Sequence, residues 1–575
     1  MHNTKSLEEY VSDIQQKIQT KNYSGALNSI NEALKTYPSN PKLYINGGNI
    51  YKYFGDLVSA EKYFSLALSY HKSKEAYNNL SVIFLEQNLV SKAIEYARYA
   101  VNLDQTYIDG NYNLGLALER EGNYDEALLY AKKVSSLDEN NCRAWVLLYR
   151  ICQNICNWDS IDELKLKLDK FIGDGIEHPF LNISRDDSEA NNYKIAKAWG
   201  GKGNLKEPDV KINKLISSSD KIRLGYICGE MKNHPTYHLI KNLFKHHNSD
   251  MFDIFIFSYD HDKECFDNLK NEKYEIIDIN NCDDEESIKK ICDFNLDILI
   301  DLSILISNNK QRIIKSRPAK KIISYLGYPG TSGLSCYDYI ITDKIVTPEL
   351  QQKYYTEKFL YLSKSYQVND GVKPTIKNAK KSDFDLPDKS ILLGSFNQAF
   401  KITQDVFNVW LKILSSIPHS YLWILEDNRF AKDNLINYVK KSGLDAQKLI
   451  FAPRVSRQLH LERISLCNVA LDTTIYNGHT TTIDLIQSLV PVVTLEGNHF
   501  ASRVSSSLLK SLGLDELVTK NLDDYQKKVI QVCTDESYAK IIKDKLLDET
   551  ISSNLFDLEY FTKDLEMKLL SIFKN

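Results

Sequence analysis

The strongest constraint on the fold of this chain is a repeat of about 34 residues near its start. Small residues recur at spacings of 34, 33 and 34 in similar sequence frames, at Ala26, Ala60, Ala93 and Ala127. An alanine at a helix crossing lets two backbones approach closely, and each repeat unit buries its apolar face only by stacking on a neighbour. The period therefore predicts an α-solenoid of four or five helix pairs between residues 6 and 172, with a degenerate fifth pair around Trp158.

Three asparagines, Asn46, Asn79 and Asn113, share one position of this repeat. The period and the small residues resemble the tetratricopeptide repeat, a pair of antiparallel helices. A side-chain amide donates and accepts hydrogen bonds at once, so a ladder of three predicts contact with the backbone of an extended peptide. The alternative is that these amides only satisfy backbone groups between repeats. Either way, the array predicts a protein or peptide partner, such as an acceptor protein.

From Lys221 onward the period changes to short β-branched runs, each followed by a helical stretch. Runs that are apolar throughout are typical of parallel strands covered on both faces. The first group covers 222–228, 252–259, 274–279, 296–303, 320–328 and 337–345. After a polar stretch near 372–389, interpreted as a linker, a second group covers 390–396, 421–426, 448–452, 469–473 and 490–495. The pattern predicts two doubly wound α/β domains in tandem, which bind ligands at the carboxyl ends of their strands.

These patterns predict four segments and a final helix. The boundaries are a repeat array over 1–175, a connecting segment over 176–215, a first Rossmann-like lobe over 216–380 and a second over 381–575. The segment 554–573 is predicted to be helical and to pack back across the cleft between the lobes.

The charge balance and the hydropathy exclude several classes of partner. Lys and Arg number 72 against 76 Asp and Glu, a net charge of −4, which is too balanced for nucleic acid as the main partner. No stretch approaches the roughly 20 apolar residues of a membrane span, and the first residues lack the apolar core of a signal peptide. We therefore expect a cytoplasmic, intracellular protein with no membrane partner. Whether it forms a homo-oligomer stays open.

Polar clusters follow several predicted strands, and one of them has the features of a phosphate site. Thr480 and Thr481 stand at a predicted helix start, where free backbone N–H groups and the helix dipole favour an anion. Lys401 follows the strand over 390–396. Simple N-capping by the threonines and a solvated lysine are the alternatives.

Seven short sequence strings between residues 233 and 504 resemble the catalytic region of the O-linked N-acetylglucosamine (O-GlcNAc) transferases. The strings are Asn233-His234-Pro235-Thr236 with His238, Leu326 to Gly333, Asp338 to Asp343, Phe396-Asn397-Gln398 with Lys401-Ile402, Leu471-Asp472-Thr473, Asn477 to Thr481, and Ala501 to Val504. They follow the order of that family over residues 220 to 535, and the repeat array matches its usual N-terminal half. Plant O-fucosyltransferases share many of the strings, so GDP-fucose or UDP-glucose stays open as the donor.

The resemblance implies a two-domain GT-B fold and an inverting transfer of N-acetylglucosamine from UDP-GlcNAc to a Ser or Thr hydroxyl. It assigns nucleotide-sugar contacts to Gln398 and Lys401 for the diphosphate, His479, Thr480 and Thr481 for phosphate and sugar, Asp484 for the ribose, and Arg457, His460 and Arg463 for the uracil. Arg457 stands where the family often has lysine, which keeps the charge and changes the donor geometry.

The residue types fit this chemistry. A departing UDP develops negative charge, which Lys401 and the helix start at Thr480 neutralise in a preorganised form. We therefore expect no metal ion and no cofactor. His234 is the candidate acceptor of the hydroxyl proton; the alternative is that it orients the substrate or caps the next helix.

The acceptor side departs from the family. A Gly-His-Thr or Gly-Tyr-Thr loop usually follows the strand that matches 297–302, and this chain has Ser303-Ile304-Leu305-Ile306. The remaining candidates on this side are the loop residues Tyr328, Pro329, Gly330 and Thr331, together with Asp301. Asp301 is predicted either to support His234 or to cap a turn. The altered loop leaves open a repeat scaffold whose transferase activity is weakened.

A competing interpretation starts from Asp260-His261-Asp262, which follows a predicted strand. Two carboxylates in this spacing can hold a divalent cation against a diphosphate. They lie in the first lobe, however, whereas the phosphate signals lie in the second. An exposed acidic loop is the favoured interpretation.

Overall fold

The computed structural model describes residues 5–201, 221–306, 309–373 and 379–573. The chain divides into two compact units, Met1–Cys152 and Gln153–Asn575. The predicted boundaries at residues 175, 215 and 380 stay predictions. Part of the connecting segment, over 202–215, and part of the linker, over 374–378, lie outside the described residues.

The first unit is an α-solenoid of consecutive helices that pack in pairs, as the repeat predicts. The helices are α1 (Leu7–Gln19), α2 (Tyr23–Thr36), α3 (Pro41–Phe54), α4 (Leu57–Tyr70), α5 (Lys74–Glu86), α6 (Val90–Leu103), α7 (Ile108–Glu121) and α8 (Tyr124–Leu137), followed by α9 (Cys142–Asn154), whose last two residues lie beyond the end of this unit. The four repeat alanines are fully buried. Gly55 and Gly122 end α3 and α7 at φ values of 81° and 84°, a left-handed conformation that favours glycine.

The second unit begins with three helices in its described residues and then forms the front lobe, residues 221–361. The helices are α10 (Ile161–Asp169), α11 (Pro179–Arg185) and α12 (Glu189–Gly201). The strands are β1 (Ile222–Cys228), β2 (Phe252–Ser258), β3 (Glu275–Asp278), β4 (Leu296–Asp301), β5 (Ala319–Ser324), β6 (Tyr339–Thr342) and β7 (Lys358–Tyr361), and the helices between them are α13 (Pro235–Ile240), α14 (Lys263–Asn268), α15 (Asp284–Asp293) and α16 (Gln311–Lys315). All strand pairs are parallel, in the order β3-β2-β1-β4-β5-β6-β7.

The rear lobe, residues 391–552, repeats this architecture. Its strands are β8 (Ile391–Ser395), β9 (Ser420–Leu425), β10 (Leu449–Ala452), β11 (Val469–Leu471), β12 (Val492–Leu495) and β13 (Val518–Thr519). Its helices are α17 (Gln404–Ser416), α18 (Arg429–Lys441), α19 (Arg457–Ile464), α20 (Thr480–Gln487), α21 (Val504–Ser511), α22 (Leu522–Thr534) and α23 (Glu536–Ser552). The strands are again all parallel, in the order β10-β9-β8-β11-β12-β13.

Both sheets reverse their strand order at one point, between β1 and β4 in the front lobe and between β8 and β11 in the rear lobe. Parallel sheets bind ligands at the carboxyl ends of the strands beside such a switch point. Several predicted site residues lie at these strand ends: His234 after β1, Asp301 at the end of β4, Gln398 and Lys401 after β8, and His479 and Thr480 after β11. We therefore expect the site at the carboxyl ends of β1 and β4 in the front lobe and of β8 and β11 in the rear lobe.

The last helix, α24 (Leu558–Phe573), returns to the front lobe. Glu566 accepts a hydrogen bond from the Asn248 backbone N–H at 2.8 Å, and Asp564 accepts one from the Ser363 N–H at 2.7 Å. These carboxylates anchor the end of the chain to the opposite lobe. Within the described ranges, no helix combines the length and the apolar character needed to span a bilayer.

Candidate active site

The clearest cluster of predicted residues lies at the switch point of the rear lobe. Lys401 follows β8, and its Nζ donates a hydrogen bond to the Asn477 carbonyl oxygen at 2.9 Å. The same Nζ lies 4.0 Å from the centroid of the Tyr476 ring. Asn477 belongs to the loop that leads into α20 at Thr480. The structure therefore brings the Lys401 ammonium to the loop that precedes the predicted phosphate-binding helix start.

Burial lowers the pKa of Lys401 to about 8, although the nearby Asp472 carboxylate acts in the opposite direction. Asp472 is itself buried and accepts hydrogen bonds from the Gly478 N–H at 2.7 Å and the Thr494 hydroxyl at 2.7 Å. It thus fixes the loop that holds the Lys401 partner. The sequence analysis named Asp472 only as part of a string that resembles the family. Its positioning contact with the Gly478 N–H was missed.

The start of α20 is open to an anion. Thr480 and Thr481 are half-buried, and the residue before them, His479, makes no side-chain cap on the helix. The first N–H groups of a helix have no partner within it, and together they carry a partial positive charge. Burial lowers the pKa of His479 well below its usual range, and the Lys401 charge adds to this, so the ring is neutral. Its Nε2 lies 3.2 Å from the Ala501 carbonyl oxygen.

Gln398 begins the turn that contains Lys401, and its side chain is exposed. Its carbonyl oxygen accepts the Lys401 backbone N–H at 3.0 Å. The amide is therefore accessible to a ligand beside the lysine. The diphosphate contact predicted for Gln398 stays a prediction.

The predicted base- and ribose-binding residues group around α19. Arg457 opens this helix and donates through Nη2 to Asp484 Oδ1 at 2.8 Å and through Nη1 to Asp370 Oδ2 at 2.9 Å. Burial raises the pKa of Asp484 to about 6, against the effect of Arg457. Asp370 was missed, because it stands just before the stretch interpreted as a linker. The sequence offered no signal beyond its polar character.

His460 and Arg463 lie one turn further along α19. Arg463 Nε donates to His460 Nδ1 at 3.3 Å, and its Nη1 donates to the Pro453 carbonyl oxygen. Burial, followed by the charges of Arg463 and Arg457, lowers the pKa of His460 to about 4, so its ring is neutral. The centroid of this ring lies 5.4 Å from that of the Phe396 ring. A cavity of about 930 Å³ opens beside Arg463 and is lined in part by Trp423. The uracil contacts stay predictions.

His234 lies at the switch point of the front lobe and caps α13. Its Nδ1 accepts the Thr236 backbone N–H at 3.3 Å, which is the capping role that the sequence offered as an alternative. Burial, then Lys232 and His238, lower its pKa to about 4. In a neutral ring whose Nδ1 accepts, Nε2 carries the proton. A role as proton acceptor therefore requires the bond to Thr236 to break.

Asp301 ends β4 and is tied to its own turn. It accepts the Ser303 N–H at 2.9 Å, the Ile304 N–H at 3.3 Å and the Tyr337 hydroxyl at 2.5 Å. These contacts match the predicted turn cap, and none of its hydrogen bonds within the described residues goes to His234. Ile304 adopts φ 56°, a left-handed conformation that is strained for a β-branched residue. It lies in the loop where the family usually has glycine.

Glu230 is a second buried carboxylate on this side, and the sequence gave no reason to select it. Its Oε2 accepts the Ser303 hydroxyl at 2.9 Å, and Ser303 Oγ accepts the Gly229 N–H at 3.2 Å. Burial raises the pKa of Glu230 to about 7. Ser303 thus links the loops that follow β1 and β4.

The predicted acceptor loop is packed inward. Tyr328, Pro329, Gly330 and Thr331 are all buried. The Thr331 hydroxyl donates to Glu357 at 2.7 Å, which also accepts the next backbone N–H. These contacts hold the loop in a buried position. Direct contact with an acceptor stays a prediction.

The competing acidic motif is engaged locally. Asp260 forms a 2.8 Å ion pair with Lys232, and Asp262 accepts the Asn233 N–H at 3.4 Å. Across the described ranges, no cluster of three or more His, Cys, Asp or Glu side chains is arranged to hold a metal ion.

The predicted peptide ladder lies within the first unit, and two of its amides already have partners. Asn113 is buried and donates to Asn78 Oδ1 at 2.8 Å, and Asn79 Oδ1 accepts from Lys52 at 3.1 Å. Asn46 is half-buried. These contacts join neighbouring repeats through side chains, so the alternative role, in which the amides satisfy backbone groups, also stays a prediction. Peptide contact stays a prediction.

A helical-repeat array followed by two Rossmann-like lobes, with a lysine and a helix start at the second switch point, defines a repeat-bearing glycosyltransferase of the GT-B fold. The sequence profile of glycosyl transferase family 41 matches residues 204–377 and 370–565. A tetratricopeptide repeat profile matches residues 108–141. The chain belongs to glycosyl transferase family 41.

Named relatives agree with this assignment. A probable UDP-N-acetylglucosamine–peptide N-acetylglucosaminyltransferase SEC of Arabidopsis thaliana is 29% identical over 355 residues, or 60% of this chain and 36% of that protein. The UDP-N-acetylglucosamine–peptide N-acetylglucosaminyltransferase of Caenorhabditis elegans is 23% identical over 553 residues, or 73% of this chain and 48% of that protein. The chain thus spans less than half the length of these curated relatives.

One solved structure shares the whole fold. A mutant O-GlcNAc transferase of Thermobaculum terrenum superposes with a TM-score of 0.63 at 22% identity, covering 93% of this chain and 97% of that chain. At this identity the likeness shows the fold alone. It confirms the predicted solenoid followed by two Rossmann-like lobes.

Proposed function

We propose that this chain transfers N-acetylglucosamine from UDP-GlcNAc to Ser or Thr hydroxyl groups of proteins, with inversion and without a metal ion. The observation that supports this best is the 2.9 Å contact between Lys401 Nζ and the Asn477 carbonyl oxygen, directly before α20. It brings a cation to the loop that leads into the helix start with its free N–H groups. The names of the two relatives support the same donor and acceptor class.

The rear lobe supplies the stabilisation of the leaving group. The acceptor oxygen bonds to the anomeric carbon as the bond from that carbon to the diphosphate oxygen breaks, and one such displacement inverts the centre. The negative charge that develops on the departing UDP meets the Lys401 ammonium and the N–H groups of Thr480 and Thr481. Preorganised donors of this kind contribute several kcal/mol each, and they meet the need that a metal ion serves elsewhere.

The front lobe supplies the acceptor side. His234 presents a neutral ring with its proton on Nε2, which is suited to donate a hydrogen bond or, after the Thr236 contact opens, to accept the hydroxyl proton. The repeat array guides the acceptor protein. Its tetratricopeptide character supports that role, since such solenoids form extended binding surfaces.

The test is intact-mass analysis of a Ser/Thr-containing acceptor protein incubated with the full chain and UDP-GlcNAc. We expect a gain of one or more N-acetylhexosamines with wild-type protein and none with Lys401→Ala. Thermal shifts with UDP-GlcNAc, UDP-glucose and GDP-fucose identify the donor, because a ligand at 100 times its Kd stabilises by about 2.7 kcal/mol. Stabilisation by GDP-fucose alone would replace the proposed donor.

A second candidate is a nucleotide-binding scaffold with weakened transfer. The observation that favours it is the Ser303–Ile306 loop, in which Ile304 is buried and strained and Asp301 is committed to Tyr337. This candidate predicts stabilisation by UDP with no mass gain on any acceptor.

A further inference from the structure

The Arg457 guanidinium is held by two carboxylates from different parts of the second unit. Asp484 belongs to α20, whereas Asp370 lies in the segment that joins the front lobe to the rear lobe. The two carboxylate side chains are only 10% and 3% exposed. Because a buried carboxylate requires a cation or hydrogen bonds, Asp370 fixes one end of the guanidinium and thereby the direction of the other.

Asp370 also contacts both lobes. Its backbone carbonyl oxygen accepts from Asn242 Nδ2, just after α13, at 2.9 Å. Its Oδ1 accepts the Val372 N–H at 3.1 Å and Gln487 Nε2 of α20 at 3.4 Å. One residue of the joining segment therefore holds the front lobe through its backbone and the rear lobe through its carboxylate.

Asp484 has one carboxylate oxygen left for a ligand. Oδ1 accepts from Arg457, and Oδ2 accepts no hydrogen bond from any residue that the structure describes. Asp484 lies four residues after Thr480, which is about 6 Å along the helix. A nucleoside diphosphate with its phosphates at the helix start would bring its ribose hydroxyls, which are hydrogen-bond donors, to this distance.

We propose that Asp370 is a positioning residue for the nucleotide: it orients Arg457, which in turn orients the Asp484 carboxylate toward the ribose hydroxyls. The inference rests on the proposed function, since it requires a nucleoside diphosphate in the rear lobe. It adds a residue that touches no ligand and makes nucleotide affinity depend on the segment between the lobes.

The test measures the Kd of the full chain for UDP and for 2′,3′-dideoxy-UDP by calorimetry. We expect wild-type protein to prefer UDP by about tenfold, the effect of roughly 1.4 kcal/mol. Asp370→Asn should reduce this preference to about twofold, because a neutral amide no longer holds the guanidinium. Asp388→Asn, an exposed carboxylate of the same segment, should leave it unchanged.

A purely structural role for Asp370 would weaken both nucleotides equally and keep the preference, which overturns the proposal. If Asp370→Asn does not fold, Arg457→Lys tests the same contacts, since an ammonium cannot hold two carboxylates in the geometry of a guanidinium; a full ribose preference in that variant also overturns it. Wild-type protein that binds neither nucleotide overturns the proposed function, and this inference with it. If the wild-type protein prefers UDP over 2′,3′-dideoxy-UDP and Asp370→Asn retains that preference, this inference alone is overturned.

Discussion

The two lobes share one parallel-sheet architecture, but the charged groups at their switch points differ. In the rear lobe the loops after β8 and β11 bring together Lys401 and the residues that lead into the open start of α20. In the front lobe the loops after β1 and β4 bury two carboxylates, Glu230 and Asp301. The loops thus give one scaffold two different sets of charged groups, an ammonium and a helix start in the rear lobe and buried carboxylates in the front lobe.

The two lobes also differ in where their backbones adopt left-handed φ values. In the front lobe, non-glycine residues with left-handed φ follow three strands (Asp260 after β2, Ile304 after β4 and Leu326 after β5) and precede two (Asn295 before β4 and Arg317 before β5). Those of the rear lobe, His419 and Leu489, precede strands. The carboxyl-end edge of the front-lobe sheet therefore has strained backbone positions, of the kind that cluster at functional sites, and the same edge of the rear-lobe sheet has none among its described residues.

Loss of the rear-lobe cation should have the largest effect. Lys401→Ala removes the ammonium that faces the leaving group, and we expect kcat to fall by about 10² to 10³. Transfer of N-acetylglucosamine to an acceptor protein, followed by mass spectrometry, measures it. The matched control is Lys412→Ala, an exposed lysine of α17 in the same lobe. Wild-type turnover in Lys401→Ala would contradict the division of labour between the lobes.

The front-lobe counterpart is His234→Ala. Because His234 lies on the acceptor side, we expect kcat to fall by about tenfold to a hundredfold, while the Kd for UDP stays within about twofold. Since its pKa is about 4, the wild-type rate should show no inflection from this ring between about pH 5 and pH 8. His246→Ala, in the same lobe, serves as control. A weaker UDP affinity in His234→Ala would place this residue on the donor side.

Much of this comparison could be predicted from sequence. The run over 222–228 coincides with β1, and the strings around Lys401 and Thr480 lie at the switch point of the rear lobe. The runs over 296–303 and 320–328 were too long, because the chain turns at Ile304 and Leu326, whose left-handed φ no local pattern announces. The short strands β7 and β13 were missed.

Long-range partners account for the remaining omissions. Glu230 and Asp370 gain their environment from residues 73 and 87 positions away, Ser303 and Arg457. A long-range contact also explains one glycine beside the predicted acceptor loop. Gly327 is required because a Cβ there would lie 2.2 Å from the Leu302 carbonyl oxygen.

The pH dependence of nucleotide binding should separate the lobes further. The pKa of Lys401 is about 8 in the free protein, so the charged form is present below this value and is lost as the pH rises through it. We expect the affinity for UDP to fall by up to about tenfold per pH unit above pH 8. Calorimetry from pH 6.5 to about pH 9.5 measures it. In Lys401→Arg the guanidinium stays charged, so the decline should disappear; a decline that persists there assigns it to another group.

Asp472 and Asp301 occupy comparable strand-end positions in the two lobes, so neutralising each is a paired experiment. Asp472→Asn weakens the hold on the Gly478 N–H and displaces the loop below Lys401, and we expect the Kd for UDP to rise by about tenfold. Asp301→Asn should change it by less than about twofold, because its partners all lie on the acceptor side. Equal effects on UDP affinity would show that the lobes do not act separately.

The smallest effect concerns stability. Glu230 titrates near 7 when folded, against 4.5 for an ordinary glutamate, so the folded protein binds more protons between these values. Its contribution to stability is therefore fully present below about pH 4.5 and is lost as the pH rises through 7. Glutamine does not titrate and can still accept from Ser303. Glu230→Gln should thus be more stable than wild type by about 1 to 2 kcal/mol at pH 8 and similar to it near pH 5.

Urea unfolding of the full chain at the two pH values measures this difference, with Glu264→Gln, an exposed glutamate of α14, as the control expected to stay within about 0.5 kcal/mol of wild type. Destabilisation by Glu230→Gln at pH 8 would mean that the ionised carboxylate is needed for the link between the β1 and β4 loops. In that case the front lobe would hold a stabilised charge at its switch point, as the rear lobe does with Lys401, and the contrast between the lobes would reduce to the sign of that charge.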